Sequence, residues 1–97
     1  MIILHATIQI KPGRRKEAIP FFLQMEEATR KEVGCIEYKF VSTLENPDVF
    51  MAVELWENQA ALESHFNSAH MATFREQRSD LVTGDSSLLR YNATPIE

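Results

Sequence analysis

The sequence has few of the features that mark membrane, nucleic-acid-binding or disulfide-stabilised proteins. Its 97 residues include one cysteine, so no internal disulfide can form, which is typical of a reducing cytoplasm. With 10 basic and 14 acidic residues the formal charge is −4, which leaves no basic excess to neutralise nucleic-acid phosphates. No apolar run approaches the roughly 20 residues of a membrane helix, and the first residues lack the basic segment of a signal peptide. We therefore expect a cytoplasmic protein that binds neither nucleic acid nor membrane.

The motifs of bound cofactors and metals are also missing. The three glycines are isolated, so no Gly-x-Gly loop is available for a dinucleotide, and no serine or cysteine nucleophile motif is found. His65 and His70 do not have the i, i+4 spacing of a zinc-binding helix. A metal would need a third ligand such as Glu54 or Glu63. We expect neither a metal nor a cofactor.

Large apolar side chains are what the sequence has in excess. It contains six Phe, two Tyr, one Trp and four Met. A chain of this length buries only about 60–65% of its unfolded surface. We therefore expect some apolar surface to face a partner, a ligand or both.

Hydrophobic periodicity predicts one α+β domain over residues 1–97. The predicted strands cover residues 2–10, 35–44, 49–57 and 86–93, and the predicted helices cover 14–33, 58–67 and 69–82. This β-α-β-β-α-β order, with a broken second helical region, is the ferredoxin-like plan of a four-stranded antiparallel sheet with helices on one face.

Three local details of the helices follow from residue type. Pro20 lies in the second turn of the first predicted helix, which favours a kink or a late start there. Val33 continues the apolar stripe of that helix, and Leu81 and Val82 continue the stripe of the last one. Asn58 and Ser68 are suitable N-caps for the two later helices.

The third predicted strand is apolar on both faces, which indicates that both are covered. One face carries Phe50, Ala52, Glu54 and Trp56, and the other carries Val49, Met51, Val53 and Leu55. The helices can cover only one face of the sheet. We therefore expect two copies to associate through the other face, with His5 among the interface residues.

Two positions are candidates for chemistry on the residues alone. His65 lies at the edge of an apolar helix stripe, where an imidazole titrating near neutral pH could act as a base. Trp56 could be a stacking wall for a planar aromatic ligand or an ordinary core residue. Glu54 shares the face of Trp56 and needs a partner there, for which Arg90 and Lys39 are candidates.

Several short motifs resemble the antibiotic biosynthesis monooxygenase family of small dimeric α+β barrel proteins. The matching segments are Lys11-Pro12-Gly13, Glu32-Val33-Gly34-Cys35, Glu54-Leu55-Trp56-Glu57-Asn58, Ala61-Leu62-Glu63-Ser64-His65-Phe66 and Ser68-Ala69-His70-Met71. The resemblance implies two ferredoxin-like subunits paired through their sheets into a barrel, with a pocket between sheet and helices in each subunit. It implies oxidation of quinols or polycyclic phenols by O2 without metal, flavin or haem, and it places Trp56, His65 and His70 at or near the pocket as catalytic residues.

The expected pocket lining combines this resemblance with the strand and helix faces. Tyr38, Phe50, Phe66, Phe74 and Glu54 are the predicted substrate-binding residues. A haem-degrading branch of the superfamily carries an asparagine on the first strand. The matching position here is Ala6, which argues against haem cleavage.

Two other functions stay open. An isomerase or processing enzyme for a small signalling molecule would need a more polar pocket. A non-catalytic small-molecule-binding dimer would leave both His65 and His70 facing solvent.

Overall fold

The computed structural model describes residues 1–84 and 86–97 and confirms the predicted ferredoxin-like α+β fold. The strands are β1 (Ile2–Gln9), β2 (Cys35–Ser42), β3 (Val49–Trp56) and β4 (Ser87–Asn92), and the helices are α1 (Arg15–Arg30), α2 (Gln59–Phe66) and α3 (Ala69–Arg78). The strands form one antiparallel sheet in the order β2-β3-β1-β4. None of the helices described is long and apolar enough to cross a membrane.

The core lies between one face of this sheet and the three helices. In β3, and in most of β1, alternate residues are buried, as a strand with one face inward requires. Phe22 on α1 packs its ring 4.6 Å from the ring centroid of Phe40 and 4.7 Å from that of Phe50, and Phe74 on α3 completes the cluster. Many of the aromatic side chains are therefore packed inside the subunit.

Helix α1 differs from the prediction at both ends. It begins at Arg15 and continues through Pro20, so of the two expectations, a kink or a late start, the late start is wrong. Pro20 is the sixth residue of α1, so it cannot donate to the Lys16 carbonyl, and the helix continues in spite of this lost hydrogen bond. The helix ends at Arg30, and Val33 is 91% exposed in the following turn rather than on the apolar stripe.

The turn at residues 31–34 brings α1 close to α2. Gly34 has φ +85°, and a Cβ added there would lie 2.5 Å from the Cβ of Ala61 on α2. A glycine is required because the conformation is left-handed and the approach is close. This contact fixes the position of Glu32, two residues earlier.

Two further predictions about element ends are wrong. Helix α3 ends at Arg78 instead of about Val82, although Leu81 is still buried and Val82 forms a bridge with Ile10. Strand β2 ends at Ser42 instead of residue 44, and its pairing register shifts between Cys35 and Glu37, where Ile36 is exposed although Tyr38 is buried. Side-chain periodicity cannot reveal a β-bulge of this kind.

The capping predictions are confirmed. The Asn58 side chain accepts a hydrogen bond from the Ala61 N–H, and the Ser68 side chain accepts one from the Met71 N–H. These two caps set the starts of α2 and α3, the helices that carry both candidate histidines.

Candidate active site

A pocket opens between the inner face of the sheet and α3. Its cavity volume is about 100 Å³. The sheet supplies the floor, α2 and α3 supply one wall, and β4 supplies the other. The lining residues are Leu4, Ala6, Ile8, Tyr38, Phe40, Ala52, Glu54, Phe66, Met71, Phe74, Arg75, Arg78, Ser86 and Leu88.

Glu54 is the acidic group in this largely apolar lining. Its side chain is buried, and its Oε1 accepts a 3.0 Å hydrogen bond from the Trp56 Nε1–H. Burial raises the pKa of Glu54 to about 7, opposed by the Trp56 hydrogen bond and assisted by the negative charge of Glu32. A carboxyl group with a pKa near neutrality can act as acid or base at physiological pH.

The partners proposed for Glu54 from the sequence are wrong. Lys39 points away to a 3.2 Å ion pair with Glu37, and Arg90 lies on the exposed strand β4. The Trp56 indole takes their place, because alternate residues of one strand share a face.

Two guanidinium groups complete the polar part of the pocket. Arg75 and Arg78 both lie on α3 and line the cavity opposite the sheet. The Arg78 guanidinium is 5.2 Å from the centroid of the Phe74 ring, and burial lowers its pKa from the ordinary arginine value. Arginine remains charged even so. The pocket can therefore stabilise an anionic ligand.

His65 lies behind Glu54, not in the pocket wall. Its side chain is 0% exposed, and its Nε2 is 4.0 Å from Glu54 Oε1 and has no hydrogen-bond partner among residues 1–84 and 86–97. Its ring centroid lies 4.8 Å from the indole of Trp56 and 5.3 Å from the ring of Tyr38. Burial lowers the pKa of His65, while the hydrogen bond and charge of Glu32 act in the opposite direction.

Glu32 joins the two histidines. Its Oε2 lies 2.7 Å from His65 Nδ1 and 2.7 Å from His70 Nε2, so one carboxylate oxygen serves both rings. The Glu32 side chain is 14% exposed and that of His70 is 29% exposed. Sequence reasoning did not select Glu32 as a site residue, because it lies in a turn far along the chain from both histidines.

These three residues also have donor atoms close enough to consider a metal, all within 4.8 Å of one another. Two ligands of an ion with bonds of about 2.0–2.1 Å are separated by about 3.0–3.4 Å. The two 2.7 Å separations are shorter and match charge-assisted hydrogen bonds. Hydrogen bonding therefore accounts for the cluster as it stands.

The predicted site residues do not all lie in one place. Tyr38, Glu54, Phe66 and Phe74 line the pocket, together with Phe40, Met71, Arg75 and Arg78, which the sequence did not single out. Trp56 and His65 lie behind Glu54, and His70 borders a separate depression between α1 and α3.

Phe50 is placed elsewhere. It lines a groove beside α1, where the Arg15 guanidinium lies 4.9 Å from the centroid of its ring. The predicted stacking role of Trp56 also changes, since the indole packs on His65 and donates to Glu54 rather than bordering the cavity.

Comparison with known sequences identifies the family. A family model described as antibiotic biosynthesis monooxygenase matches residues 1–77. The chain belongs to this family. The Escherichia coli protein named "Probable quinol monooxygenase YgiN" is 30% identical, with 88% of each chain covered. A crystal structure of an antibiotic biosynthesis monooxygenase has a TM-score of 0.91 and 25% identity, covering 98% of this chain and 100% of that one.

Another relative is longer than this chain. An uncharacterized protein of Synechocystis, sll1783, is 31% identical over 90 residues, which cover 93% of this chain and 61% of that protein. The chain thus spans less than two thirds of sll1783. Family membership, together with relatives named as monooxygenases, supports a monooxygenase-like function for this domain.

Proposed function

We propose that this protein is a monooxygenase that oxidises a quinol-like or polycyclic phenolic molecule with O2. The observation that carries the proposal is Glu54, a carboxyl group with a pKa of about 7 buried in an apolar pocket. The name of the relative YgiN supplies the substrate class.

The reaction balances without another reductant. A quinol and O2 give a hydroxyquinone and water: one oxygen atom forms a C–O bond at a ring carbon, and the O–O bond breaks to release the other as water. The hydrogens of that water derive from one phenolic O–H and one ring C–H. The ring is oxidised and O2 is reduced.

The pocket residues contribute to the first step in two ways. Glu54 accepts the phenolic proton, which leaves an electron-rich anion that can transfer an electron to O2. Arg75 and Arg78 stabilise the negative charge on the phenolate, as positive groups in a water-poor site do.

The remaining lining favours a flat apolar substrate. Tyr38, Phe40, Phe66 and Phe74 surround the cavity with aromatic faces and edges, which suit an aromatic ring. The isomerase alternative requires a more polar pocket, and the binding-only alternative requires both histidines to face solvent. The apolar lining argues against the isomerase, and the complete burial of His65 argues against the binding-only protein. The histidine that the monooxygenase was expected to hold inside its pocket lies behind Glu54, outside the lining.

We also propose that two copies pair through the outer face of the sheet. On that face the side chains of adjacent strands align in rows, with Ile3 between Leu55 and Tyr91 and His5 between Val53 and Leu89. Leu89 and Tyr91 are more than half exposed in one subunit. Such a continuous apolar surface is unusual on a monomer.

Oxygen uptake with a panel of dihydroxynaphthalenes tests the function. Glu54→Gln preserves the acceptor for Trp56 but cannot take a proton, so we expect uptake to fall by about 10²–10⁴-fold, the usual contribution of a general base. The exposed Glu63→Gln is the matched control and should retain wild-type uptake. Wild-type rates in Glu54→Gln would contradict the role of Glu54, and no uptake by the wild type on any quinol would contradict the function.

A further inference from the structure

Glu32, His65 and His70 form a hydrogen-bonded group, which we call the Glu32 cluster, outside the steps assigned to Glu54, Arg75 and Arg78. We propose that Glu32, fixed in place by His70, is a positioning residue that presents His65 to Glu54 as a second proton acceptor. His65 then stores the substrate's proton during turnover. This inference rests on the proposed function and concerns how the same site handles its proton.

The orientation of His65 supports this role. A hydrogen bond from Nδ1–H to Glu32 commits the proton of the neutral ring to that side. Nε2 then carries a free lone pair, and it is a buried atom without a partner. Unsatisfied buried polar atoms are rare, and a catalytic role is a recognised reason for one.

The position of His65 relative to the pocket fits a proton store. Glu54 lines the pocket, and its Oε1 lies 4.0 Å from His65 Nε2. This separation is about 1 Å longer than a hydrogen bond, so transfer requires the Glu54 carboxyl group, whose Oε1 now accepts from the Trp56 indole, to turn toward the His65 ring about its soft terminal torsion. A proton on Glu54 can then pass to Nε2.

The charges around the ring favour its protonated form once the proton arrives. His65 lies between two carboxyl groups, with Glu32 at Nδ1 and Glu54 at Nε2, so an imidazolium offsets negative charge on both sides. Burial, His70 and Arg75 oppose protonation in the resting protein. Among the described residues, the titratable or charged groups near the ring are Glu32, Tyr38, Glu54, His70 and Arg75.

The stoichiometry of the reaction gives a stored proton a use. Conversion of quinol and O2 to hydroxyquinone and water releases no net proton, so the phenolic proton removed first balances the proton that the departing oxygen needs when the O–O bond breaks. His65 is fully buried, so a proton held there is protected from exchange with bulk water.

Glu32 is itself fixed from two sides. His70 Nε2 lies 2.7 Å from the same carboxylate oxygen that His65 uses, and the close contact of Gly34 with Ala61 holds the turn against α2. A carboxylate held this way loses little conformational freedom when His65 becomes charged. We therefore expect His70 to act by fixing Glu32, without touching the substrate.

Nitrogen-15 NMR of the histidine rings tests the proposal without any substrate. In the wild type at pH 7 we expect His65 protonated at Nδ1 and bare at Nε2. In Glu32→Gln we expect the titration midpoint of His65 to fall by about 1 pH unit or more, because its negative neighbour is removed. Glu63→Gln should leave the midpoint unchanged. A proton on Nε2 in the wild type, or an unchanged midpoint in Glu32→Gln, would overturn the proposal.

Steady-state kinetics then separate positioning from other roles. His70→Ala should lower kcat by about tenfold with little change in KM, and His70→Gln should restore much of it, because an amide can still donate to Glu32. Equal rates in His70→Ala and the wild type would overturn the positioning role. Absence of quinol turnover in the wild type would refute the proposed function, and the NMR result would still decide the orientation of His65.

Discussion

At the scale of single residues, the proposed reaction depends on one carboxyl group. Glu54 is buried beside an indole and an imidazole, where its charged form is poorly solvated, and this raises its pKa to about 7. The same burial gives it a useful base strength and makes it costly to the folded protein. Both consequences can be measured.

The pH dependence of turnover is the first consequence. The base must be ionised to accept a proton, so kcat/KM should rise with pH through about 7 and level off above it. The pH profile of oxygen uptake between pH 5 and 9 measures this. A profile that is flat across that range, or one that falls as pH rises through 7, would be inconsistent with Glu54 as the base.

The pH dependence of stability is the second consequence. The folded pKa of about 7 exceeds the ordinary 4.5, so the folded state binds more protons than the unfolded state between these values, and stability falls as pH rises through that window. Glu54→Gln removes this loss. We expect its melting temperature to exceed that of the wild type at pH 8 by several degrees and to differ less at pH 5, as thermal denaturation will show. Equal melting temperatures at pH 8 would argue against a raised pKa.

At the scale of elements, the turn between α1 and β2 connects the fold to the site. It carries Glu32, and Gly34 allows it to pack directly on α2. The place where α1 ends therefore decides where Glu32 lies relative to α2.

A pair of glycine variants tests this connection. Gly34→Ala introduces both backbone strain and a clash with Ala61. Gly13 has a similar φ of +80°, but a Cβ added there has no atom within 4 Å, so Gly13→Ala introduces only the strain. Both should lose about 1–2 kcal/mol from the left-handed conformation. Only Gly34→Ala should lower the free energy of unfolding by more than this. It should also change the NMR signals of His65. Equal losses in the free energy of unfolding of the two variants, measured by urea denaturation, would show that the close approach of Gly34 to Ala61 is unimportant.

Local sequence signals predicted the elements better than their ends. Alternation in β1 and β3 and the caps Asn58 and Ser68 were sufficient because each is set by neighbouring residues. The end of α1 and the bulge in β2 were not predictable, since both depend on contacts with distant segments.

The site was predicted in part for the same reason. His65 and Glu54 could be chosen from their faces, but Glu32 is 33 residues from His65 and is brought to it only by the fold. The alternation also could not show that Trp56 lies behind the pocket, because it gives the face of a residue and not its depth.

At the scale of the whole molecule, several large apolar side chains stay exposed in one subunit, Leu88, Leu89 and Tyr91 on β4 among them. The outer sheet face presents rows of apolar residues on β1, β3 and β4. A second copy would cover them, and the two sheets would then form the barrel expected of this family.

A charge placed in the centre of this face tests the dimer. Val53 lies beside His5 on the outer face, so Val53→Lys places a charge there. Leu44 is a fully exposed loop residue, and Leu44→Lys is the control with the same added charge. By light scattering, we expect the wild type and Leu44→Lys to have twice the 11.2 kDa mass of one chain, and Val53→Lys to be monomeric. A wild type of 11.2 kDa at micromolar concentration would refute the pairing.

The origin of the oxygen in the product tests the central claim most directly. Turnover of 1,4-dihydroxynaphthalene under ¹⁸O2 should give a product that carries one labelled oxygen atom, with the other recovered as labelled water. Mass spectrometry of the product measures both the reaction and its type. A product without the label, formed at the same rate with and without the protein, would contradict a monooxygenase function.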